Sequence, residues 1–240
     1  MRVITVNQPA IYPRIHLFDR AAVADRYVFL GSAQFTRRTT EQSVMAFADG
    51  LLRVPVAHAG RFAIDETRFT ADERWARKSI ARLQHLYGKL PGYSKWSEHV
   101  GDTFRRCAAG ATVGEIGRET FMLGLEVFGI EVETVEDREI CEPIEGAPSK
   151  WMQELTRLSE GEFYYCGGAA VDAYLDADDW QRAGIRHAAQ EWTPPDYAAD
   201  IPRNLSMLDV MFRGDDAIAM LREDFAEARA RAEKSWESES

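Results

Sequence analysis

The most constraining feature of this chain is its opening alternation of structure types. Val3 to Val6 is an uninterrupted β-branched run, Leu17, Phe18, Ala21 and Ala22 recur at helical spacing, and Tyr27-Val28-Phe29-Leu30 is again β-branched and aromatic. The first run ends at Asn7-Gln8-Pro9, since proline removes a ladder donor, and the second ends at Gly31-Ser32. A strand, a helix and a strand in succession favour parallel pairing with the helix packed on one face, and ligands then collect at the carboxyl ends of the strands. Asn7-Gln8 and Gly31-Ser32 occupy two such ends.

A second unit of the same kind lies near the other end of the chain. Phe163 to Cys166 reads as a strand, Gly167-Gly168 as a turn, 169–174 and 178–183 as helices, and Ile185 to Trp192 as a final strand closed by Pro194-Pro195. Between the units, Leu51 to Val56 and Arg61 to Ile64 read as an antiparallel pair around His58-Ala59-Gly60. Thr70 is expected to cap a helix, with Glu73 at the boxed position, that stops at Gly88. Thr112 and Glu115 mark another helix start, and Ile130 to Val135 another strand. The expected fold is α/β: a mixed, mainly parallel sheet with helices on both faces and a helical insertion at about 70–128. Residues 1–240 are expected to form one domain. From about 215 to 235, Ile218, Leu221 and Phe225 give an apolar stripe to what reads as a surface helix fraying into Trp236 and the terminal Ser and Glu residues.

Charge and cysteine usage narrow the function classes. Lys and Arg number 29 against 39 Asp and Glu, a formal charge of -10, which gives no broad electrostatic footprint for nucleic acid or an anionic membrane. The N-terminal apolar run is too short for a signal segment and no later run approaches a spanning helix, so a cytoplasmic protein is expected. Cys107, Cys141 and Cys166 form no CxxC pair, and the five histidines show no metal-ligand spacing. No metal or cofactor is expected.

Three groups of residues carry possible chemistry. Cys166 closes a strand ahead of Gly167-Gly168 and a helix, where a thiol gains from the helix dipole and free N–H groups can hold an oxyanion. The alternative is a small buried hydrophobe on a core strand beside a tight turn. His187, on the neighbouring predicted strand, is the candidate base for Cys166, or a strand histidine bonded to backbone. Asn7, Gln8 and Tyr12 near the first strand end, with Arg37, Arg38, Ser206 and Asp209, form a candidate binding set. The amides suit sugar hydroxyls or amides, and paired arginines clamp carboxylate or phosphate. Turn, solvated-loop and helix-cap roles are open for the same residues. His16 lies close to the Asn7 turn and is a further candidate.

Several anchors, in order, resemble the WbqC-like family. Its opening His-Gln-Pro-Asn, Pro-Trp and Phe-Asp-Lys segments correspond to Asn7-Gln8-Pro9-Ala10, Tyr12-Pro13-Arg14 and Phe18-Asp19-Arg20. Further similarity appears at Gln34-Phe35-Thr36, Val54-Pro55-Val56, Tyr87-Gly88-Lys89-Leu90-Pro91-Gly92-Tyr93, Tyr165-Cys166-Gly167-Gly168 and Leu205-Ser206-Met207-Leu208-Asp209. The family histidine is Asn7 here, its later His-Pro pair is represented by Trp192-Thr193-Pro194, and Cys166 stands where the family usually has serine.

The resemblance implies a role in surface-sugar or natural-product biosynthesis. The reaction it suggests is acyl or aminoacyl transfer that forms an amide on an amino sugar or other amine, with a coenzyme A or carrier-protein thioester as donor. Cys166 would receive the acyl group, and Gly167-Gly168 would supply oxyanion donors. A non-catalytic accessory protein and a thioester hydrolase are the alternatives. A carrier protein would need Arg37, Arg38, Arg105 and Arg106 to gather into a basic patch on this acidic chain.

Overall fold

A computed structural model of the chain describes residues 1–36, 42–57, 61–199 and 201–238. In chain order its elements are β1 (Val3–Asn7), α1 (His16–Val23), β2 (Arg26–Phe29), β3 (Val44–Phe47) and β4 (Gly50–Arg53). The helical insertion follows as α2 (Glu73–Tyr87), α3 (Tyr93–Ala108) and α4 (Val113–Phe128). Next come β5 (Glu133–Glu136), α5 (Asp137–Ile140), α6 (Pro148–Leu158), β6 (Phe163–Cys166), α7 (Gly168–Ala173), α8 (Ala177–Arg182) and β7 (Arg186–Ala189). Three helices end the chain: α9 (Met207–Arg213), α10 (Asp215–Ala226) and α11 (Ala228–Ser238).

Strand β1 is buried at every position because it sits in the middle of the main sheet. Its residues Ile4 to Asn7 pair in parallel with Arg26 to Phe29 of β2, and Val3 and Ile4 pair in parallel with Phe163 and Tyr164 of β6. Strands β5 and β7 add in parallel at the edges, giving the order β5-β2-β1-β6-β7. The chain therefore winds outward from β1 in one direction, returns, and winds outward in the other. The reversal falls between β1 and β6, and a crevice opens there at the carboxyl ends of the strands.

Parallel strands need cover on both faces, and alternate residues supply it. On one face Tyr27 and Phe29 pack on Phe121 of α4, and Phe121 stacks on Phe18 of α1 at 5.0 Å. On the other face Tyr164 stacks on the fully buried Trp180 of α8 at 4.9 Å. The expected mainly parallel sheet with helices on both faces is thus present, and α2 to α4 form the central helical segment. Among the described residues no helix is long and apolar enough to cross a membrane.

Several local expectations hold and others are corrected. Thr112 caps α4 by accepting from Glu115 N at 3.1 Å, and α2 ends at Gly88. Helix α2, however, is capped by Asp72, which accepts from Arg74 N at 2.9 Å. A carboxylate with extended backbone next to the first turn is a better cap than Thr70 two residues away. The hairpin pairs Val44 to Phe47 with Gly50 to Arg53, so the expected pairing of 51–56 with 61–64 is wrong. Ala48-Asp49 forms the two-residue turn, closed by Gly50 at φ +123° at the start of β4, whereas His58-Ala59-Gly60 lies outside the described residues. The last strand is also shorter than expected, Arg186–Ala189 rather than 185–192.

The C-terminal expectation needs the largest correction. Two helices stand where one was read, and α11 lies on α1 and the sheet. Trp236 is buried, stacked on Phe163 at 4.0 Å with Tyr165 at 5.6 Å, so the apolar cover of this sheet face extends almost to the end of the chain. A Trp236→Ala substitution is accordingly expected to cost about 3 kcal/mol, as for other buried aromatic truncations, where a frayed surface position would cost under about 0.5 kcal/mol. Urea denaturation midpoints at unchanged slope measure the difference.

Candidate functional site

The crevice at the reversal point encloses about 790 Å³. The ends of the strands and the start of α1 form it: Asn7 and Gln8 follow β1, Gly167 and Gly168 follow β6, Gln190 follows β7, and His16 and Arg20 project from α1. Trp151 and Met152 of α6, with Tyr164 and Tyr174, supply an apolar wall. A larger depression of about 920 Å³ lies beside Asp25 and Glu133, at the opposite ends of the strands. It is shallow and open, so the reversal-point crevice, with its convergent polar groups, is the better candidate site.

Arg20 is the dominant charge in the crevice. It is 8% exposed, and its Nη1 donates to Asn7 Oδ1 at 2.5 Å. Its Nε is buried without a hydrogen-bond partner. Asp19, the preceding residue, turns the other way, to Arg231 at 2.8 Å and to Gln190 Nε2 at 2.6 Å. Among the described residues no carboxylate forms an ion pair with Arg20. A Cβ at Gly167 would stand 3.1 Å from Arg20 Nη1, so glycine there leaves room for the guanidinium.

The neighbouring amides form a second polar cluster. Gln42, 3% exposed, donates through Nε2 to Gln8 Oε1, and its own Oε1 is buried with no partner. Asn7 also donates to Thr5 Oγ1 at 3.1 Å.

His16 brings an imidazole into the same cavity. Asn204 Oδ1 accepts from His16 N at 3.1 Å and lies 2.9 Å from its Nδ1; because an amide oxygen only accepts, Nδ1 carries the proton and Nε2 keeps its lone pair. Burial, reinforced by the Arg20 charge, depresses its pKa to about 3, so the ring is neutral across the physiological range.

The expected site residues separate into two sets. Asn7, Gln8, Gly167 and Gly168 line the crevice. Tyr12, Ser206 and Asp209 do not; they hold the scaffold together. Tyr12 takes φ +41°, donates from N to Thr120 Oγ1 at 3.0 Å and from its hydroxyl to Thr103 Oγ1 at 2.9 Å. Its carbonyl accepts from Ser206 Oγ at 2.6 Å, and Ser206 also caps α9. Asp209 is fully buried and accepts from Tyr87 Oη at 2.7 Å, Tyr197 Oη at 3.2 Å and Arg213 Nε at 2.7 Å. Arg37 and Arg38 lie outside the described residues.

The cysteine and histidine expected to act together do not meet as a dyad. Cys166 is 1% exposed and does not line the crevice; its thiol points to Ala188 O at 3.5 Å, and burial pushes its pKa up to about 11. In the sheet register Cys166 faces Ala189, whereas His187 faces Tyr164 and opens into a separate surface pocket near Trp236. A parallel register offsets the two side chains by two residues along the strand, which removes the hydrogen bond a dyad requires. Of the residues expected to form a basic patch, Arg105 pairs with Asp102 and Arg106 with Glu115 and Glu119, while Arg37 and Arg38 lie outside the described residues.

Arg20, Gln42 and Gln190 were missed from sequence. Arg20 had a readable signal, because it falls three residues after Leu17 on the stripe of α1 that faces the protein, where a charge is out of place. Gln42 and Gln190 had none, since each becomes a lining residue only through distant partners. Among the described residues no group of three or more metal-ligating side chains gathers.

The WbqC-like protein family matches this chain over residues 8–219. No curated protein and no solved structure gives a match.

The neutral His16 ties stability to pH. Its unfolded pKa is near 6.5 and its folded value about 3, so below 6.5 the unfolded chain takes up the proton and the folded chain does not. The contribution is complete above pH 6.5 and is lost as the pH falls toward 3, at up to about 1.4 kcal/mol per pH unit. Urea titrations from pH 7 to 4 are expected to give a shallower acid slope for His16→Gln than for the unsubstituted protein; equal slopes would contradict this assignment.

Proposed function

The chain belongs to the WbqC-like family, which links it to a biosynthetic pathway, and from that premise we propose that it transfers an acyl group to an amine bound in the crevice at the β1–β6 reversal. The carrying observation is His16, whose Nδ1 is held by Asn204 and whose Nε2 lone pair is left for a ligand. It replaces, from α1, an imidazole that Asn7 no longer supplies from β1. An unprotonated ring beside a polar cavity orients an incoming amine by accepting one of its hydrogens.

In this reading the amine nitrogen attacks the thioester carbonyl, the C–N bond forms, and the C–S bond breaks. The proton lost from nitrogen passes to the departing thiolate, directly or by way of His16 Nε2. Transfer is direct, because a thiol buried at 1% exposure with a pKa near 11 presents almost no thiolate, and the crevice does not reach it. The amides of Gln8, Gln42 and Gln190 suit the hydroxyls or amide of an amino sugar or similar amine. Coenzyme A or a carrier protein would deliver the acyl group.

One observation favours a second reading, that of a non-catalytic accessory protein. Asn7 stands at the family histidine and its carbonyl oxygen is already occupied by Arg20. Turnover separates the two. With acyl-coenzyme A donors and amino-sugar or amino-acid acceptors, the transferase is expected to release coenzyme A in step with amide. Cys166→Ala should retain the rate with no acylated protein by mass spectrometry, and His16→Ala should lose about 100-fold in kcat. Coenzyme A release without an amine acceptor would indicate a hydrolase instead, and no release with any donor would favour the accessory role.

A further inference from the structure

We infer that the crevice binds a monoanionic carboxylate that also carries an N–H or O–H donor, with the carboxylate on Arg20 and the donor on Gln42. This names the substrate class for the transferase reading; it rests on that reading for the reaction but not for the binding.

The first ground is an uncompensated charge. A guanidinium stays protonated in a protein, and removing it from water is unfavourable unless an anion and hydrogen bonds replace the lost hydration. Arg20 is 8% exposed, yet among the described residues its one side-chain partner is the neutral amide of Asn7, and its Nε has none. The groups that feel its charge, Tyr27, Tyr164, Tyr165, Tyr174, Cys166 and His16, are themselves neutral. Asp19 is turned away to Arg231. What the described residues do not supply to the site is one negative charge with oxygens that match the planar fork of a guanidinium.

The second ground is independent of the first. Gln42 is 3% exposed and its Oε1 is a buried acceptor with no donor, while its Nε2 is spent on Gln8. Buried acceptors are normally satisfied, so this one calls for a donor from the ligand. The two vacant groups are also close in the fold. Arg20 is tied to Asn7 and Gln42 to Gln8, and these two anchors are consecutive residues at the end of β1. A small molecule can reach both.

Charge distinguishes carboxylate from phosphate. Arg20 is the one cationic side chain among the described lining residues, and its described neighbours there are neutral amides, aromatics and aliphatic groups. One positive charge balances a monoanion, whereas a phosphate dianion would leave a buried excess. The wall formed by Trp151, Tyr164 and Tyr174 suits an apolar or ring-bearing remainder.

The test is equilibrium binding to the full chain, by calorimetry and thermal shift, with no acyl donor present. The probes differ by one group at a time: 3-phenyllactate and N-acetylphenylalanine, both monoanions, carry both features, 3-phenylpropionate lacks the donor, and 3-phenylpropan-1-ol lacks the carboxylate. Inorganic phosphate is the fifth probe. The first two are expected to bind, 3-phenylpropionate about 10-fold more weakly, and the alcohol and phosphate not measurably. Arg20→Met is expected to weaken 3-phenyllactate by about 100-fold without lowering the unfolding midpoint, as befits a charge that burdens the fold. Should that variant not fold, Arg20→Lys, which keeps the charge but lacks the fork, should lose about 10-fold. Gln42→Leu should bring 3-phenyllactate down to the level of 3-phenylpropionate.

Failure of every carboxylate to bind, equal binding of the alcohol, tighter binding of phosphate, or undiminished binding to the Arg20 variants would each overturn the assignment. Because no reaction is monitored, carboxylate binding without turnover would leave this inference standing and remove only the transferase reading.

Discussion

Everything in this structure depends on β1 being hydrogen-bonded in parallel on both sides. Five consecutive β-branched or amide residues, Val3 to Asn7, occupy the centre of the sheet, and all five are buried. A parallel central strand cannot connect to its neighbours by tight turns, so each neighbour must be reached through a crossover. The crossovers on the β2 side and on the β7 side leave in opposite directions, and the gap between them is the crevice. The location of the candidate site is therefore a consequence of strand order.

The helical insertion and the C-terminal helices serve that arrangement. Phe121 of α4 meets Phe18, Tyr27 and Phe29, which joins the insertion to the first strand, helix and strand unit. The far end of the chain is bound to its beginning by Ser206 donating to the carbonyl of Tyr12 and by Trp236 covering Phe163. The buried ion pair of Asp209 with Arg213, closed by two tyrosine hydroxyls, joins α9 to α2. Such a network is costly to disturb, because removing either charge strands the other away from water. Residues 12, 206 and 209 looked functional in the sequence because they are polar groups in segments that resemble the family's; their partners show that they hold the walls.

Among the buried polar atoms without a partner, Arg20 Nε and Gln42 Oε1 are distinguished by the cavity they share, whose wall also holds the unpartnered Trp151 Nε1. The buried charges Asp19 and Asp209 are matched by arginines, and most buried hydroxyls find a carbonyl or another hydroxyl. A vacant guanidinium edge and a vacant amide oxygen in one cavity depart from local consistency in the way binding sites do. Cys166 shows the opposite case: a residue with a reactive side chain that the fold uses as packing.

The sequence by itself determined the alternation of strand and helix, the cap at Thr112, the stop at Gly88 and the carboxyl ends of β1 and β6 as the region of interest. These rest on side-chain periodicity, caps and glycine, which act over a few residues. Only the tertiary structure decided which polar residues meet. Asn7 joins Arg20 across 13 positions, Gln8 joins Gln42 across 34, and Ser206 reaches Tyr12 across 194. Whether a side chain is buried, and beside what, is fixed by strand order and register. That is why His187, one strand from Cys166, faces Tyr164 instead, and why an arginine on the inward stripe of α1 becomes the charge around which the site is built.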